Sequence, residues 1–226
     1  MIDSHTNVWY PTPEQISGSN VTQLMALVGA ATYEDYYRFS IEHPDRYWRA
    51  VLDHCGVVWK RPYEQFADYR DGREFPRWFV GGQLNWTDTI FKWAGDPAWA
   101  DRPAVIAEDE AGVVTRLTYA ELHDRVRAFA AGLTKLGLQR GDRVGYLMEP
   151  GLEAVVTMIA VSYMGAVVMP LFSGFGVDPI VARLSACEAK ALIMTSGFTR
   201  RGKRQDTLRT ALEVQATHPV DLLILK

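Results

Sequence analysis

Residues 117–171 alternate between two apolar periodicities, and this alternation restricts the fold more than any other feature of the chain. Thr118 and Glu121 form a Ser/Thr-x-x-Glu capping box, which predicts a helix starting just after Thr118. Leu122, Val126, Phe129, Leu133 and Leu136 then recur at three- and four-residue steps, an apolar stripe along one helix face. Gly137 supplies the stop, because glycine takes the left-handed C′ conformation cheaply. Val144-Gly-Tyr-Leu-Met148 has the length of a strand, residues 153–164 read as a helix ended by Gly165, and Val167-Val168-Met169 reads as a strand stopped by Pro170. Helices alternating with short apolar strands imply a parallel sheet with helices on its faces.

The same logic extends in both directions. Runs 104–108 and 113–117 flank the polar turn Asp109-Glu-Ala-Gly112, a hairpin signal. After the loop 172–177, Asp178 is the expected N-cap, with Pro179 at the first helical position and Ile180 and Leu184 at helical spacing. A strand is expected at 190–195, a loop at 196–204, a helix at 207–218 and a last strand at 221–225. An apolar strand at the end of the chain leaves a bare sheet edge. It implies a truncated sheet, with self-association through that edge. Upstream, residues 21–31 are apolar enough for a short helix within a lead segment, 1–32. Residues 33–93 hold five of the seven tryptophans (Trp48, Trp59, Trp78, Trp86 and Trp93) among charges, which suits short helices and loops laid over another surface.

Bulk properties exclude several function classes. A net charge of −3 over 226 residues gives no electrostatic footprint for nucleic acid or an anionic membrane. No membrane span is expected, because the uncharged run 154–177 is broken by Gly165 and Pro170, and the N-terminus lacks a basic-then-apolar leader. Cys55 and Cys187 make no disulfide framework, so a reducing cytoplasm is the expected compartment. His5, His43, His54, His123 and His218 lack metal-ligand spacing, and no Gly-x-Ser-x-Gly elbow occurs. Glu149 and Glu153 are explained by capping of the helix that follows them.

The order Leu-Thr-Tyr-Ala-Glu-Leu (117–122), Leu-Gly-Leu-x-x-Gly-Asp-Arg-Val (136–144) and Gly-Ala-Val-Val-x-Pro-Leu (165–171) resembles the first third of the AMP-forming acyl-CoA synthetases, the adenylate-forming ligase superfamily. Ser40-Ile41, Pro44, Tyr47-Trp48 and Trp78-Phe-x-Gly-Gly-x-Leu-Asn85 resemble the N-terminal extension of the acetyl-CoA-synthetase-type members. The pattern departs at Trp86-Thr-Asp-Thr-Ile, where the acetate-type sequence has a short polar run ending in Asp-Arg, so the resemblance does not carry acetate over as substrate. The resemblance implies an α/β fold: an aromatic-rich helical extension at 33–93, then the first part of a mostly parallel sheet with helices on both faces at 94–226. It implies a ligase that joins a carboxylate to coenzyme A with ATP and magnesium, through an acyl-adenylate. The ATP loop, the acyl pocket and the catalytic lysine belong to the missing remainder of such a chain. The fragment alone is then expected to be inactive, with no catalytic residue of its own.

The resemblance also assigns a binding site. Arg200-Arg201-Gly202-Lys203 matches the family's Arg-x-Gly-Arg/Lys loop, which contacts the 3′-phosphate end of coenzyme A, and Phe172-Ser173-Gly174-Phe175 matches a Phe-Gly-Gly-Phe-like loop beside the same ligand. Forked donors from arginine and a point charge from lysine suit a dianionic phosphate. Two other readings compete. Gly197-x-x-x-x-Gly202-Lys203 satisfies most of a P-loop, but Arg204 stands where a Ser or Thr hydroxyl is needed for magnesium. The whole chain can also be read as a stand-alone, flavodoxin-like nucleotide- or CoA-binding module without ligase activity.

Overall fold

The computed structural model describes residues 9–226, and the chain divides into two compact units at Leu84/Asn85. His5 and the start of the lead segment lie outside the described residues. In the first unit, α1 (Pro13–Ser17), α2 (Asn20–Val28), α3 (Tyr33–Glu42) and α4 (Pro44–Cys55) precede an antiparallel pair, β1 (Gln65–Asp68) and β2 (Arg77–Val80). Sequence reading expected only short helices and loops here, and the strand pair corrects it. Each strand is four residues long, and the Asp71-Gly72 turn signal sits inside a long connection, 69–76, not in a tight two-residue loop. What holds the pair is aromatic packing: Phe79 lies 5.2 Å from Tyr63, 5.6 Å from Phe66 and 5.8 Å from Trp59, centroid to centroid.

The second unit opens with α5 (Trp86–Phe91), capped by Asn85, and the antiparallel hairpin of β3 (Pro103–Glu108) and β4 (Val114–Thr118). The capping box forms as the sequence predicts: Thr118 Oγ1 accepts from the amide of Glu121 at 3.2 Å, and the Glu121 carboxylate accepts from the amide of Thr118 at 2.9 Å. It starts α6 (Tyr119–Lys135), which buries Leu122, Val126, Ala130 and Leu133. Leu136, placed on that stripe by its spacing, is instead 58% exposed. The helix ends one residue earlier, so Leu136 is the C-cap and leaves the face, and Leu138 enters the core in its place.

The remaining elements are β5 (Arg143–Leu147), α7 (Leu152–Tyr163), β6 (Val167–Pro170), α8 (Val177–Ala186), β7 (Ala191–Met194), β8 (Gly197–Arg200), β9 (Lys203–Asp206), α9 (Leu208–Thr217) and β10 (Leu222–Leu225). Four strands form one parallel sheet in the order β10-β7-β5-β6. Its α/β class is the one read from the sequence. Three local expectations are corrected. Asp178 does not cap α8: Gly176 is the N-cap, with no side-chain bond, and Asp178 sits in the first turn. Glu149 caps nothing and accepts from Thr195 Oγ1 at 2.8 Å. Much of the segment read as a loop at 196–204 is strand, β8 and the start of β9.

Both faces of the sheet are covered, so its central strands read as unbroken apolar runs. Along β7, Ala191 and Ile193 pack with Leu133, Leu138 and Val161 of the α6/α7 side, whereas Leu192 and Met194 pack with Ile180, Leu184, Ala211 and Val214 of the α8/α9 side. Gly145 of β5 faces the second layer, where a Cβ would lie 2.8 Å from Leu184 Cδ2. No described helix is long and apolar enough to cross a membrane.

At the N-terminal end of the sheet one carboxylate closes the loop before β5. Asp142 Oδ2 accepts from Lys190 Nζ at 2.9 Å and from the amide of Gln139 at 2.7 Å, while Lys190 also donates to the Gly137 carbonyl at 3.0 Å. The Lys190 ammonium first, and then the Gln139 amide, hold the Asp142 carboxyl below the ordinary range. A depressed pKa contributes stability that is present above the unfolded-state value, near pH 4, and is lost as pH falls through the folded value. Asp142→Asn is therefore expected to lower the urea midpoint at pH 7, and the gap to wild type should close as pH falls below the unfolded-state value and through the folded one. A gap independent of pH would show that shape, not ionisation, carries the contact.

Candidate functional site

β8 and β9 make a tight antiparallel hairpin, with Arg200 paired to Lys203 across a two-residue loop of Arg201 and Gly202. Both loop residues have positive φ, 52° and 69°, as a primed hairpin turn requires. Glycine takes that conformation freely, and Arg201 adopts it at a steric cost. Phe198 anchors the hairpin, being 8% exposed, while Arg201, Gly202 and Lys203 stand out in solvent and Arg200 is half-buried. Paired residues of an antiparallel ladder project from the same face, so Arg200 and Lys203 set two cations side by side. Like charges directly opposite are unfavourable unless an anion lies between them.

The turn after β6 meets this hairpin. The amide of Phe175 donates to the Phe172 carbonyl at 2.9 Å, and the two rings stand edge-on with centroids 5.7 Å apart. Gly174 sits under the first ring, where a Cβ would fall 2.6 Å from Phe172 Cε1. Phe172 is 57% exposed and its ring faces the Arg200 guanidinium, Cζ to centroid 5.5 Å. Arg183 of α8 covers Phe175 in the same way at 4.3 Å. The structure thus brings together the two segments singled out in the sequence, 172–175 and 200–203, as an exposed aromatic beside a cationic hairpin.

Two members of this arrangement escaped the sequence reading. One is Arg183, which carries no motif. The other is Glu110, in the turn between β3 and β4. Its Oε1 accepts from the Arg201 amide at 2.6 Å and its Oε2 from the Gly202 amide at 3.0 Å. The Gly202 amide first, then the Arg201 amide, hold the Glu110 carboxyl below the ordinary range, with the Arg200 and Arg201 guanidinium groups adding to the effect. Asp109 builds the turn that presents Glu110, its Oδ1 accepting from the amides of Ala111 and Val113 at 2.9 Å each. No local signal marks Glu110, because its partners lie some 90 residues on.

The P-loop alternative fails on topology. A phosphate loop runs from a strand through glycine-rich backbone into a helix N-terminus. Gly197 to Lys203 is instead a strand, a two-residue turn and the start of a second strand. Among the described residues, no three or more His, Cys, Asp or Glu side chains converge as metal ligands would.

Residues 92–225 match the family model for the AMP-binding enzymes. The chain belongs to that family. A second model, that of the acetyl-coenzyme A synthetase N-terminus, matches residues 33–89. Among relatives of this chain, an acetyl-coenzyme A synthetase of Deinococcus radiodurans is 33% identical over 198 residues, covering 88% of this chain and 29% of the relative. An acetoacetyl-CoA synthetase of Danio rerio is 28% identical over 207 residues, covering 88% of this chain and 30% of the relative. The solved acetoacetyl-CoA synthetase from Streptomyces lividans superposes with a TM-score of 0.89 at 27% identity, over 96% of this chain and 34% of that one. The chain spans about 30% of the length of the curated relatives it matches.

Proposed function

We propose that this chain is the N-terminal part of an acetyl-CoA-synthetase-like, AMP-forming acyl-CoA ligase, and that its basic hairpin takes the 3′-phosphate end of coenzyme A. The observation that carries the second half is the pairing of Arg200 with Lys203 beside the exposed ring of Phe172. Two adjacent cations suit a dianion, and an exposed ring beside them suits a flat base. Residues 33–93 then serve as the extension, and 94–226 as the first α/β subdomain of the ligase. In the whole enzyme the substrate carboxylate attacks the α-phosphate of ATP, held with magnesium, and releases pyrophosphate. The CoA thiol then displaces AMP to give the thioester. None of those steps is assigned to a residue of this chain.

The 226-residue chain alone, supplied with ATP, magnesium, CoA and a panel of short carboxylates, is expected to release no pyrophosphate. It should nonetheless bind CoA more tightly than dephospho-CoA, measured by calorimetry or amide shifts. Turnover by this chain would overturn the first half of the reading. Equal affinity for the two ligands would overturn the second.

A further inference from the structure

We infer that Glu110 is a positioning residue that pins the turn of the basic hairpin and so aims Arg200 and Lys203 at their phosphate; this rests on the proposed CoA reading. A two-residue turn has two outward amides, and here both are taken by one carboxylate, through Oε1 on Arg201 and Oε2 on Gly202. A bidentate contact fixes the turn in orientation as well as in place. The carboxylate comes from a different hairpin, itself closed by Asp109, so the anchor does not move with the strands it holds. With its amides occupied, the turn offers an incoming anion no backbone donors. The phosphate is left to the side chains that the turn orients, and pre-set donors bind more tightly than donors that must first be ordered.

The sign of the effect separates this role from simple electrostatics. Glu110 is an acid beside a proposed anion site, with the Arg200 and Arg201 guanidinium groups nearby. By charge alone its removal strengthens phosphate binding. As a positioning residue, its removal weakens it.

The test uses the 226-residue chain as wild type, Glu110→Gln and Glu110→Ala, with adenosine 3′,5′-bisphosphate and adenosine 5′-monophosphate as probes, followed by amide NMR. In both variants the Arg201 and Gly202 amides are expected to exchange roughly tenfold faster or more, while the amides of Val144 and Leu192 in the sheet and the thermal midpoint stay as in wild type. Affinity for the bisphosphate should fall about fivefold, and that for the monophosphate should hold. Unchanged exchange at Arg201 and Gly202 overturns the pin. Faster exchange with bisphosphate affinity kept or raised overturns the positioning role alone. A wild-type chain that shows no preference for the 3′-phosphate overturns the CoA reading and, with it, the role of Glu110.

Discussion

Replacing Arg200 and Lys203 together by alanine should cost the chain most of its discrimination between CoA and dephospho-CoA. Each side chain offers charge-assisted donors worth about 1.5–3 kcal/mol to a buried anion, but exposed ion pairs are worth under about 1 kcal/mol. Arg200 is half-buried against Phe172 and Lys203 is exposed, so the pair together falls between these limits. A loss of about 2–3 kcal/mol, or roughly 30- to 150-fold in CoA affinity, is the expected size. Dephospho-CoA should weaken by less than about threefold, since the phosphate is the only group removed. The preference should also shrink with added salt, because exposed charges are screened over about 10 Å at 0.1 M. Equal weakening of both ligands would place the two cations elsewhere on CoA. Loss of ATP binding with CoA unaffected would instead revive a phosphate-loop role for the segment.

The second large effect concerns the core. Gly145 lies in the middle of β5, and the space its side chain would fill is taken by Leu184, which is fully buried with Leu192 and Met169 beside it. Leu184→Ala is expected to destabilise the second unit by about 2–5 kcal/mol, the transfer cost of the side chain plus a residual cavity. Gly145→Val gains strand preference worth under about 1 kcal/mol, yet forces branched carbon into an occupied site, at a cost of about 1–3 kcal/mol or more. Overpacking wins, so this variant is also less stable. Combined, the two changes should partly compensate, because the valine enters the volume that the leucine leaves. The double variant is expected to lie above the sum of the singles by about 1 kcal/mol in urea unfolding. Strict additivity would mean that β5 and α8 do not share this volume.

Much of the second unit was legible because its determinants are local. The capping box of Thr118 and Glu121, Gly137 after α6 and the β3/β4 turn are each settled within a few residues, and each appears where the sequence places it. Errors arose where a local preference met a competing one. Asp178 yielded the cap of α8 to Gly176, and Leu136 left the apolar stripe when α6 ended at Lys135. In the first unit the strands β1 and β2 are too short to show a period, and only the packing of Phe79 with Tyr63, Phe66 and Trp59 reveals why they pair.

The alternation of helices and strands, the apolar faces and the family are legible from the residues alone, because periodicity and turn chemistry are written in neighbouring positions. The strand order β10-β7-β5-β6, the meeting of Phe172 with Arg200, and the hold of Glu110 on the turn at 201–202 emerge only once the chain is folded. Those contacts join residues tens of positions apart, and a local pattern carries no information about which distant partner will close the loop between them.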